Sequence, residues 1–147
     1  MTLSVKKWLL CYAVAAVVYA AADVAWIATV AGNLYQSQIG HLLAPAFNIP
    51  GAVLFYLVFV VGMVHFGVRP QDHDATRGQR VAGAALFGAV SYGTWGLTAL
   101  AILDRFSPLV AVTDIAWGAA VCGVVTFVTV TLLRRTCLLY TSDAADE

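Results

Sequence analysis

Hydrophobic residues do not alternate with polar ones along this chain; they cluster in four long runs. The runs cover Trp8–Ala31, Ile49–Val68, Val81–Leu103 and Leu109–Leu133. Each meets the length of about 20 residues that a helix needs to cross hydrocarbon. The pattern predicts an all-α polytopic membrane protein with four transmembrane helices in one domain, residues 1–136. Lys6 and Lys7 followed by Ala20-Ala21-Ala22 resemble a cleavable signal. The apolar stretch continues through Val24–Ala31, beyond an h-region of roughly 7–15 residues, so an uncleaved helix is expected.

Between the first two runs, Leu34, Tyr35, Ile39, Leu42 and Leu43 roughly follow a helical stripe, with Gln36, Gln38 and His41 between them. This predicts a short helix lying at the outer interface. Pro50 stands where the second helix should begin, a position at which its missing N–H is harmless. Small residues recur every fourth position in the third run: Ala84, Gly88 and Gly96 form one row, and Ala85, Ala89 and Gly93 another. Ala119 and Gly123 make a further pair in the fourth run. Such rows let helices approach closely in lipid, within the chain or in a helix–helix oligomer.

Charge sets the expected orientation. Lys6, Lys7, Arg69, Arg77, Arg80, Arg134 and Arg135 fall on one side if the helices alternate, and Arg105 alone falls on the other. By the positive-inside rule both termini are expected in the cytoplasm of a bacterial cell, with the protein in its inner membrane. The composition agrees: 61% of the 147 residues are hydrophobic and 11% charged, against about a quarter charged in a soluble domain. No basic, aromatic stretch suggests a nucleic-acid partner.

The last eleven residues, Cys137–Glu147, look like translated sequencing-adapter DNA. The segment is therefore expected to be a non-native tail without structure. Without Asp143, Asp146 and Glu147, five acids face eight bases, a net charge of +3. Cys11 and Cys122 then remain, both in apolar runs and outside any metal or redox spacing, so neither a metal nor another cofactor is expected.

Two carboxylates interrupt the runs. Asp23 lies roughly 12 Å, and Asp114 roughly 6 Å, from the outer end of its helix, taking about 1.5 Å per residue. A carboxylate inside hydrocarbon costs about 2.5–3.5 kcal/mol on insertion scales, so both should face protein or water. No Lys or Arg stands at these depths. Each acid has a Trp three residues on, Trp26 and Trp117, on the same helix face. Tyr19 lies one turn before Asp23, and Tyr92, Trp95 and Thr98 are spaced as if to share a face of the third helix. The candidate binding cluster is Tyr19, Asp23, Trp26, Tyr92, Thr98, Asp114 and Trp117. The structural alternative makes Asp114 a helix cap and the two Trp residues interfacial anchors. His65, His41 and the Asp72-His73-Asp74 loop read as polar packing and solvated turns.

The segments Asp23-Val-Ala-Trp26, Tyr35 to Gly40, Pro50 to Tyr56, Gly83 to Gly88, Tyr92 to Thr98 and Asp114 to Gly118 together resemble the bacterial predicted membrane proteins called DUF2177, a domain of unknown function. The family pattern after Tyr92 carries Asp and Asn where this chain has Gly96 and Ala99. The resemblance implies a fold and no activity. Three classes of function follow: a binding or transport protein with an outward polar pocket for a proton, cation or small solute; an intramembrane enzyme acting on a lipid-linked substrate through the two acids; and a structural or accessory subunit.

Overall fold

The structure is a computed structural model that describes residues 3–72 and 74–143, with side chains placed over 5–72 and 74–133. His73, residues 144–147 and the side chains of Arg134 and Arg135 lie outside the described residues. The described chain is all-helical, and four stretches are long and apolar enough to cross a membrane: Val5–Leu42, Ile49–Val68, Arg77–Ile102 and Pro108–Leu133.

The first of these departs from the sequence expectation. Helix α1 (Leu3–Trp26) does not stop for a loop. It passes through a π turn (Ile27–Ala31) directly into α2 (Gly32–Ile39) and a 3₁₀ turn (Gly40–Leu42). Gly32 keeps a right-handed helical conformation, with φ −55° and ψ −51°, and its N–H reaches back five residues to the Ile27 carbonyl. The expected short helix is present, continuous with the first span. It packs Ile39, Leu34 and Tyr35 against Ala99, Phe106, Val110 and Ala111, at the end of the bundle where the last two helices connect. Ser107 donates to Gln38 there at 2.9 Å.

Helix α3 (Ile49–Met63) begins on Asn48, whose side chain accepts from Gly51 N–H at 2.9 Å, with Pro50 in the first turn. It too ends in a π turn, Val64–Val68, closed by Arg69 in a left-handed conformation. Helix α4 (Arg77–Ile102) starts a turn earlier than hydropathy alone suggests. A reciprocal cap between Thr76 and Gln79 extends it, satisfying two backbone donors at once. Helix α5 (Pro108–Asp143) runs on past its apolar span, so residues 137–143 are helical rather than structureless. No Gly or Pro follows Leu133 to break it.

Helices α4 and α5 form the tightest interface. A Cβ on Gly88 would stand 2.0 Å from the Gly118 carbonyl oxygen, and one on Gly118 would stand 2.7 Å from that of Gly88. Gly96 faces the Ala111 backbone in the same seam. The small-residue row expected from the sequence is thus occupied within the chain. Helix α1 lays Cys11, Ala15, Tyr19 and Asp23 along its buried face, one residue per turn. The α3–α4 loop is held from within by Arg80, whose guanidinium donates to the carbonyls of Val68, Arg69, Asp72 and Ala75. Asp72 pairs with Arg69 and accepts from the N–H groups of Asp74 and Ala75. That segment is an ordered knot rather than a simple solvated turn.

Candidate functional site

Asp23 and Asp114 are both buried, 7% and 2% exposed. A buried carboxylate must find donors. Asp23 has two among the described residues: the Tyr56 hydroxyl from α3 and the Trp117 indole N–H from α5, the latter at 3.1 Å. Asp114 receives the Tyr35 hydroxyl from α2, 2.6 Å from both carboxylate oxygens. Each acid therefore ties its helix to a different element, and no described Lys or Arg pairs with either.

The aromatic residues join the two acids into one region. Trp117 follows Asp114 on the same helix face yet serves Asp23, and it stacks flat on Trp26 with centroids 4.3 Å apart and planes 5° apart. The two Trp residues are thus partners of each other rather than separate interfacial anchors. Tyr19, fully buried, shares a 2.7 Å hydrogen bond with Tyr92. The Tyr19 ring meets Tyr56 edge-on at 5.6 Å and lies against Phe59 at 5.2 Å.

A pocket of about 150 Å³ opens beside Asp114. Tyr35 from α2, Phe55 and Phe59 from α3, and Ser91, Tyr92 and Trp95 from α4 complete its walls. Phe55 and Trp95 are 46% and 59% exposed, so they form the rim on the outer surface of the bundle, between α3 and α4. Phe59 meets Tyr92 edge-on at 5.7 Å deeper in.

Of the sequence candidates, Tyr19, Asp23, Trp26, Tyr92, Asp114 and Trp117 come together, whereas Thr98 is exposed and stands apart. The reason is helical phase. Each step of three residues lags a full turn by about 60°, so Thr98 lies about 120° around α4 from Tyr92. Asp114 does not cap its own helix, since its partner is Tyr35. His65 and His41 are exposed, and His41 reaches only the Asp104 carbonyl at 3.5 Å.

Sequence reasoning missed Tyr35 and Tyr56 as the acids' donors. A signal existed for Tyr56. It stands seven residues, roughly 10 Å, into its helix, close to the depth of Asp23 in the neighbouring one. Tyr35 carries no such signal, because it falls on the apolar stripe expected at the interface.

Four long apolar helices enclosing two buried carboxylates define a multi-pass membrane protein. Its site is made of acids, phenols and indoles, with no described His, Cys, Asp or Glu side chains gathered in threes. The chain belongs to the DUF2177 family of predicted membrane proteins, whose profile matches residues 8–131. No curated protein and no solved structure matches it.

Proposed function

We propose that this chain is a binding protein of the transport type, whose pocket beside Asp114, in the outward half of a bacterial inner membrane, receives a proton, a cation or a small solute. The observation that carries this reading is the pocket itself: a space of about 150 Å³ with a buried carboxylate in its wall. Intramembrane acids are expensive to bury and commonly mark such pathways. The positive charges on the α3–α4 loop and before α1 support an outward position for the opposite end of the bundle, where α2 and Asp114 lie. A π turn, a form common at functional sites, interrupts the helix that supplies Tyr35.

The enzyme reading has less to rest on. Among the described residues, the hydroxyls bonded to Asp23 and Asp114 are the phenols of Tyr56 and Tyr35, and no Ser, Thr or Cys nucleophile is paired with either acid. The accessory-subunit reading rests on small-residue faces, and the Gly88–Gly118 crossing uses the row that contains Gly88 and Gly96 internally.

The test is thermal unfolding of the purified protein in detergent across a panel of pH values, inorganic cations and small solutes. At least one class should raise the unfolding temperature, and Asp114→Asn should remove that response. A wild-type protein that no class stabilises would leave the pocket a packing gap and end this reading. Labelling of single cysteines placed in the 43–48 and 69–75 loops checks the orientation. The first should react from outside and the second from inside.

A further inference from the structure

The walls of the pocket are chemically uneven. Five aromatic side chains from α2, α3 and α4 surround the space, and one carboxylate, Asp114, closes it. Ring faces are electron-rich and attract cations, most strongly when water is excluded. Asp114 offers about four lone-pair positions, and the single Tyr35 proton is their donor among the described residues. An anion would meet rings and a carboxylate with only the Ser91 and phenol hydroxyls to receive it. A bare metal ion would want about six or more oxygens, which the pocket does not supply. A neutral apolar solute would leave the remaining carboxylate positions unmet. An organic ammonium satisfies both kinds of wall, with its charge toward Asp114 and its methyl or methylene shell against the rings.

Volume and access narrow the class further. About 150 Å³ suits a group near the size of benzene, such as a trimethylammonium or short alkylamine. The rim residues Phe55 and Trp95 are exposed on the bundle's outer surface, so the mouth opens sideways between α3 and α4.

We propose that the pocket formed by Tyr35, Phe55, Phe59, Tyr92, Trp95 and Asp114 binds a small organic ammonium group, entering between α3 and α4. This rests on the reading of the pocket as a ligand site. The ammonium belongs either to a free amine or to an amine-bearing lipid headgroup, since a sideways mouth admits both.

Calorimetric titration of the purified protein in a nonionic, amine-free detergent tests this with choline and its neutral isostere 3,3-dimethylbutanol. Choline should bind at least about tenfold more tightly than the alcohol. Asp114→Asn should abolish choline binding. Trp95→Leu, which keeps apolar bulk at the rim and removes the ring, should weaken choline by about tenfold while sparing the alcohol. Repeating the titration in nanodiscs identifies the source. Competition by phosphatidylcholine but not phosphatidylglycerol assigns the lipid headgroup, and equal affinity in both assigns a free amine. Equal binding of choline and the alcohol overturns the ammonium assignment and leaves the solute pocket standing. So does tighter binding of sodium than of choline. Absence of binding by every solute, from protein that unfolds cooperatively, overturns both.

Discussion

Trp117 on α5 donates its indole N–H to the Asp23 carboxylate on α1 at 3.1 Å while its ring lies flat on Trp26, one turn beyond that acid. One side chain thus provides both a polar and an apolar link between the first and last helices. Trp117→Phe should keep much of the ring contact and lose the donor. The expected destabilisation is about 1–3 kcal/mol, the usual effect of unpairing a buried acceptor. Tyr56→Phe removes the other donor to the same acid. The double variant should lose more than the sum of the singles, because Asp23 then keeps neither donor. Reversible unfolding in detergent measures all three.

Tyr35→Phe should destabilise the protein by a similar amount, about 1–3 kcal/mol. Its local signature differs. Tyr35 is the bond from α2 to Asp114, so amide hydrogen exchange over residues 32–39 should accelerate while exchange in the centre of α4 stays slow. Unchanged exchange in α2 would show that apolar packing alone holds it.

The two glycines Gly88 and Gly93 should respond oppositely to the same substitution. At Gly88 an added methyl meets the Gly118 carbonyl at 2.0 Å, so Gly88→Ala must push α4 and α5 apart, at a cost of about 1–3 kcal/mol. At Gly93 the nearest atom is an Ile115 side-chain carbon at 3.6 Å, ordinary contact. Gly93→Ala should be neutral or stabilising by up to about 1 kcal/mol through helix propensity. Thermal midpoints of the two variants give the comparison directly.

Arg80→Lys should loosen the α3–α4 loop despite keeping the charge. Four carbonyls of that loop converge on a planar guanidinium, and a single ammonium cannot reproduce the fork. A loss of about 1.5–3 kcal/mol is expected. Faster cleavage by a nonspecific protease between residues 69 and 75 is the accompanying readout, and an uncleaved loop would count against it.

The four spans were legible because lipid imposes a minimum apolar length that few other contexts mimic. One small-residue row in α4 was legible for a related reason: close helix approach excludes side chains, and Gly88 and Gly96 sit where it does so, whereas Gly93 of the other row makes only ordinary contact. The Asp-x-x-Trp repeat pointed to the right region of α1 and α5. Which donors the acids would find was not legible, because Tyr35 and Tyr56 come from other elements and the choice is made by helix rotation. Thr98 fell out of the cluster through that same quantity. Arg80 counted in the sequence only as a charge, and its burial depends on a loop path that hydropathy does not encode.

The π turn at Ile27–Ala31 acts as a phase shift in the first helix. By closing through five residues instead of four, it accommodates one extra residue and resets the angular origin for everything after it. Asp23 is set before the reset and Tyr35 after it, so the two sides of the site are indexed separately on one continuous rod. Were residues 27–31 wound as ordinary α-helix with none removed, that extra residue would instead turn α2 by about 100°. Asp23 would keep its partners in α3 and α5, while the Tyr35 hydroxyl would be carried away from Asp114. That one wall of the pocket can then be rotated without touching the rest.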